Sequence, residues 1–272
     1  MRLHRFLSLL SLLLLCLAMT ACQPRSEAPA SGHFVTRTLD LEGRTWRYAV
    51  FVPARAQAAN ELPVVLFLHG SGERGDDGHA QTTAGLGPWL RRNADTFPAL
   101  VVMPQVPDDG EWIGMPARLA LAALEAASAE FGGDRSRTYL TGMSMGGYGT
   151  WEVALMAPGR FAALVPVCAG VLAPRIERPG LFVTPVAGAD DPHAELVARL
   201  RQVPVWMFHG AKDNVVLPDD SRRVYQASQA AGAGFRYTEY PDGTHNAWDA
   251  AYSDAAMWQW LFSQRLRRPD PT

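Results

Sequence analysis

A chain of 272 residues with 48% hydrophobic composition can bury a large core, and α/β folds of this size commonly form one domain without splitting. Its 25 Lys and Arg stand against 27 Asp and Glu, a net charge of −2, and no basic patch recurs with interleaved aromatics. That excludes the usual footprint of a nucleic-acid partner, and three cysteines are too few for a disulfide scaffold.

Arg2 and Arg5 precede a leucine-rich stretch from Phe6 to Leu17, too short and too N-terminal for a core helix and patterned as an export signal. It ends in Leu17-Ala18-Met19-Thr20-Ala21-Cys22, where small residues directly before a cysteine resemble a bacterial lipobox. Residues 1–21 are therefore read as a lipoprotein-type signal peptide, and Cys22 as the lipidated first residue of an exported, membrane-anchored protein. Met19 stands where a lipobox prefers leucine, so a plain cleaved signal, giving a periplasmic or secreted protein, is the alternative. Gln23 after the cysteine favours the outer membrane of a Gram-negative cell. Residues 22–33, rich in Pro, Ala and Ser, read as a flexible tether. Cys16 leaves with the signal and Cys22 takes lipid, so Cys168, inside the apolar run 164–169, is expected to be a buried small hydrophobe.

The domain expected over 34–266 opens with a hairpin from Phe34 to Val52 that turns at Glu42-Gly43. Val64 to Leu68 is a continuous apolar run, as expected of a strand buried on both faces of a parallel sheet. Runs at 99–103, 138–140, 162–167 and 205–208 repeat the pattern, with a further strand at 235–240. Helix-like stretches lie between them, notably 116–131, which begins with proline, and 219–231. This alternation predicts an α/β class: a doubly wound, mostly parallel sheet with an N-terminal antiparallel hairpin. Ligands of such sheets bind at the carboxyl ends of the strands. The stretch 169–204, where a lid could be inserted, is proline-rich with one short helical piece, 194–200, and predicts no large lid and an open site.

Those strand ends carry the chemistry. Thr141-Gly142-Met143-Ser144-Met145-Gly146-Gly147 reads as strand, sharp turn and helix with Ser144 at the apex, the nucleophile-elbow pattern Gly-x-Ser-x-Gly. It puts the Met145 N–H at a helix N-terminus, where it can stabilise an oxyanion. His69-Gly70-Ser71-Gly72-Glu73-Arg74-Gly75 follows an earlier strand and offers the Ser71 N–H as a second donor. Asp213 lies just past a strand end, and His245 is the only histidine C-terminal to it, giving the order nucleophile, acid, base. Asp190, Asp191, Asp219, Asp220, Asp242 and Asp249 are rival acids, of which Asp219 and Asp220 read as helix caps. His69 and His209 read as loop-packing residues, and His33, His79 and His193 as exposed ones. No spacing among histidines and acids matches a zinc site, so neither catalytic metal nor cofactor is expected. Trp112 and Trp248 are candidate walls for an aromatic or sugar substrate.

Together, the segments Leu66 to Gly75, Tyr139 to Gly147 and Gly243-Thr244-His245-Asn246-Ala247-Trp248-Asp249 resemble the secreted α/β-hydrolases described as predicted peptidases or carboxylesterases, relatives of dienelactone hydrolases, feruloyl-type esterases and polyhydroxybutyrate depolymerases. The resemblance runs from about Pro63 to Gln264 and implies an α/β-hydrolase fold. It further implies Ser144 as nucleophile, Asp213 as acid and His245 as base, with Ser71 and Met145 supplying the oxyanion hole. The expected reaction is cleavage of a small or polymeric ester through an acyl-enzyme. A secreted serine peptidase of the prolyl-oligopeptidase-like type and a non-catalytic surface lipoprotein are the competing classes.

Overall fold

A computed structural model describes residues 31–54, 56, 61–174 and 178–266. The expected signal, Cys22 and most of the tether lie outside the described residues. The hairpin is formed by β1 (His33–Leu41) and β2 (Arg44–Val52), paired antiparallel. Its turn is Glu42-Gly43, both at positive φ (53° and 76°), the two-residue geometry whose twist suits a hairpin. Next come β3 (Leu62–Leu68), α1 (Leu86–Arg92), β4 (Leu100–Pro104), α2 (Met115–Phe131), β5 (Gly133–Met143), α3 (Met145–Met156) and β6 (Ala163–Val167). The chain continues with α4 (Pro192–Leu200), β7 (Trp206–Gly210), α5 (Asp219–Ala230), β8 (Arg236–Tyr240), α6 (Trp248–Ser253) and α7 (Ala255–Ser263).

The eight strands form one sheet in the order β1-β2-β4-β3-β5-β6-β7-β8. β2 joins β4 antiparallel, and every pair from β4 to β8 is parallel. The expected doubly wound sheet with an antiparallel hairpin is what the chain forms.

Strand periodicity divides the core in two. On β3, Val64, Leu66 and Leu68 face a cluster with α2, α3, α4 and α5, while Val65 and Phe67 face another with α1, α6 and α7. Each of these side chains is fully buried, worth roughly 1.5–3 kcal/mol relative to exposure, so neither face can slip register cheaply. Among the described residues between β6 and β7 there are only a short 3₁₀ turn, Thr184–Val186, and α4, which packs on α3 and α5. No large lid is present among the described residues. No helix among them is long and apolar enough to cross a membrane.

Candidate active site

The parallel strands all point their carboxyl ends to one edge, and the residues singled out from the sequence converge there. Ser144 sits between β5 and α3 with φ 54° and ψ −118°, a backbone conformation that costs an L-residue energy and is held here by its surroundings. Glycine is required on both sides: a Cβ on Gly142 would overlap the Gly146 carbonyl, and one on Gly146 the Leu68 carbonyl. The Ser144 N–H is tied to the Val167 carbonyl at 3.0 Å, fixing the turn to β6.

From this apex a hydrogen-bonded chain runs inward. Ser144 Oγ lies 2.9 Å from His245 Nε2, and His245 Nδ1 lies 2.8 Å from Asp213 Oδ2. Asp213 Oδ1 accepts from the Val215 and Val216 amides at 2.8 and 3.0 Å, which clamps the carboxylate in one orientation. Burial alone would push the Asp213 carboxyl up. Hydrogen bonds from His209, His245 and the Val215 amide, with the nearby His245 charge, outweigh it and hold the group well below the usual carboxylate range. Asp213 therefore stays ionised beside the imidazole.

These groups open on a cavity of about 550 Å³, lined by Gly70 to Glu73, Met143, Ser144 and His245, by Pro174, Arg178 and Leu181, and by Val215, Val216 and Trp248. Ser71 begins a 3₁₀ turn at its rim and Met145 begins α3, so both backbone amides belong to the same edge. Trp248 meets the His245 ring edge-on, with centroids 5.3 Å apart.

No family model matches the chain. A protein of Arthroderma benhamiae, described as an uncharacterized secreted protein, is 24% identical across 86% of this chain, which spans only 27% of that protein. The crystal structure of a thermostable esterase superposes with a TM-score of 0.68 at 28% identity, covering 85% of this chain and 63% of the esterase. A ferulic acid esterase gives 0.64 at 22% identity over 85% of this chain and 96% of its own. Structures described as peptidases match as well. This is an α/β-hydrolase fold. The strand order, the elbow after β5 and the cavity at the carboxyl edge all fit that hydrolase framework. The chain spans about a quarter of its curated relative and under two thirds of the thermostable esterase.

Some expectations need correcting against the hydrolase framework. Trp112 is not a wall of the cavity: it is 1% exposed, donates from Nε1 to the His69 carbonyl at 3.0 Å and lies against Gly149 inside the core. Asp220 does not cap α5, whose N-cap is Pro218. Instead its Oδ2 accepts from the Val171 and Leu172 amides at 2.8 and 2.9 Å, and its Oδ1 pairs with His193 Nε2 at 2.8 Å. That contact makes His193 a buried residue rather than an exposed one. Asp191 caps α4 through the His193 and Ala194 amides, and Asp242 reaches Lys212 at the surface. Neither approaches His245.

His209 does more than fill a loop. Its Nε2 donates to the Val216 carbonyl at 2.9 Å and lies 3.3 Å from Asp213 Oδ2, while Nδ1 meets Ser221 Oγ at 2.8 Å. Asp213 is thus flanked by two imidazoles, a relation the four-residue spacing left open until β7 ended between them. Cys168, read as a buried hydrophobe, is fully buried, and its Sγ donates to the His245 carbonyl at 3.1 Å. Burial pushes its thiol well above the ordinary range, keeping it protonated. Cys168, His209 and Asp213 come close enough to share a metal ion, but the hydrogen bonds just described already occupy their ligand atoms.

Proposed function

We propose that the protein is a serine hydrolase that cleaves carboxylic esters through an acyl-enzyme. The observation that carries this reading is the chain Ser144 Oγ–His245–Asp213, at 2.9 and 2.8 Å, opening on a cavity at the strand ends. Ser144 attacks the ester carbonyl while its proton passes to His245 Nε2. The tetrahedral oxyanion is held by the Ser71 and Met145 amides, the second reinforced by the N-terminus of α3. His245 then protonates the leaving alcohol. Water repeats the sequence on the acyl-enzyme, and Asp213 stabilises the imidazolium each time. Each oxyanion donor is expected to contribute about 3 kcal/mol to lowering the barrier. A fluorophosphonate probe should label the wild type and hydrolysis of p-nitrophenyl acetate should be measurable. Ser144→Ala should lose both while unfolding at the same urea concentration, and labelling that survives the substitution would overturn the assignment.

The likeness to structures described as peptidases supports a second reading, amide hydrolysis with the same groups. Turnover of aminoacyl p-nitroanilides against p-nitrophenyl esters separates the two. We further propose that the protein is exported and lipid-anchored through Cys22 to the outer membrane. Export is supported by the segment from Arg2 to Cys22 and by a relative described as secreted, and the anchor by the small residues before Cys22. Wild type should incorporate labelled palmitate and sediment with membranes, and Cys22→Ser should do neither.

A further inference from the structure

Besides His245, two side chains in the cavity wall can carry charge, Glu73 and Arg178. Arg178 donates from Nη1 to Ser71 Oγ at 3.1 Å and from Nη2 to Glu111 Oε1 at 2.6 Å. That same Glu111 oxygen is also held by Arg74 Nη2 at 2.9 Å. Among the described residues, one carboxylate therefore serves two guanidinium groups at the rim of the cavity. Glu73 makes no ion pair with either guanidinium among the described residues: its buried Oε2 is turned towards Gly70, 3.1 Å from where a side chain there would begin, and burial raises its carboxyl against the opposing pull of the Gly70 and Glu73 amides. The α3 N-terminus adds further positive potential from below.

The contacts to Ser71 and Glu111 use two of the five N–H groups of the guanidinium, and the Arg178 side chain is 34% exposed. We propose that Arg178 is a specificity-determining residue that binds a carboxylate carried by the ester substrate, at a subsite beside Ser71. This rests on the serine-hydrolase reading of Ser144. A planar guanidinium fork matches a carboxylate with two parallel hydrogen bonds, and the apolar neighbours Pro174, Leu181 and Val215 strengthen the pair by excluding water. Because Arg178 touches the side chain of Ser71, whose amide faces the scissile carbonyl, the substrate class is an ester with its carboxylate a few bonds from the carbonyl, such as a half-ester of a short dicarboxylic acid.

The test compares p-nitrophenyl hydrogen glutarate with p-nitrophenyl butyrate, which share a leaving group and differ in the acyl charge. 4-Acetoxybenzoate against phenyl acetate asks the same of the alcohol side. In at least one pair, Arg178→Met should lower the ratio of kcat/KM for the anionic over the neutral ester by about 10–100-fold, mostly through KM, and Arg178→Lys should recover part of it. A lost Ser71 contact alone would slow both esters of a pair equally and leave both ratios unchanged. Binding gives an answer that needs no turnover: calorimetry with monomethyl glutarate on Ser144→Ala should show an affinity about tenfold higher than on Ser144→Ala/Arg178→Met. Unchanged ratios in both pairs together with equal affinities overturn the subsite. A wild type that hydrolyses none of these esters and resists fluorophosphonate overturns the serine-hydrolase reading itself, and the calorimetry still reports on Arg178.

Discussion

The cavity has two walls of different construction. One is the carboxyl edge of the sheet, where Ser71, Ser144 and His245 each follow a parallel strand or its turn, with Asp213 buried behind His245. The other is Pro174, Arg178 and Leu181, from a stretch between β6 and α4 with no helix or strand of its own at those residues. Strand ends fix groups relative to one another, as the proposed proton transfer over 2.9 Å and the imidazole–carboxylate contact at 2.8 Å would require. A loop wall can change its side chains without disturbing that spacing. On the proposed reading, the first wall would carry the chemistry and the second the choice of ester.

Damage to the strand-end wall should cost turnover for every substrate. Asp213→Asn is expected to lower kcat for p-nitrophenyl acetate by about ten thousand-fold with little change in KM. A loss under tenfold would move the acid elsewhere. Gly146→Ala, whose Cβ meets the Leu68 carbonyl, should cost about 3 kcal/mol or more in urea unfolding, and an unchanged midpoint would show that the elbow tolerates a side chain. His209→Phe removes one donor facing Asp213 and should lower kcat by about 10–100-fold, partly recovered in His209→Gln, whose amide can still donate.

Acid should act on the same wall. The Asp213 carboxyl lies below its unfolded value of about 3.9, so its stabilising share is complete well above that pH and is lost progressively as pH falls from there towards its lower folded value. Urea stability of the wild type should therefore decline between about pH 5 and pH 3 more steeply than that of Asp213→Asn. Equal slopes would remove Asp213 from the acid response. The smallest effect belongs to Trp248, which lines the cavity from the start of α6. Trp248→Ala should raise KM for aromatic esters about fivefold and leave acetyl esters nearly unchanged, because the lost contact is with the substrate rather than the reacting atoms.

The sequence made the strand-end wall legible and the far wall almost invisible. Runs such as Val64 to Leu68 have one reading because a strand buried on both faces must be apolar throughout. Ser144, Asp213 and His245 followed from glycine spacing and from chain order. Arg178 had no such signal: its meaning depends on Glu111, 67 residues away, and on Arg74. His209 was read by its neighbours in the chain, while its function depends on which oxygen of Asp213 it faces. Trp112 misled because an indole with a hydrogen-bonded Nε1 looks the same in sequence whether it lines a cavity or fills a core. The short helices α1, α6 and α7 went unnoticed, since six to nine residues give too little periodicity to stand out.

The pairing of the hairpin settles how the cavity is oriented relative to the chain ends. β1 runs antiparallel to β2, and β2 antiparallel to β4, so His33 lies opposite Val52 at the amino edge of the parallel strands. Gly32 is fastened there too, its N–H on the Ala94 carbonyl at 2.9 Å. The other described end joins it: the Leu266 N–H bonds to the carbonyl of Ser136, at the start of β5. Both exits therefore lie on the side of the molecule opposite Ser144. Under the anchor proposed above, the tether would join the domain on the face away from the cavity and leave the mouth uncovered.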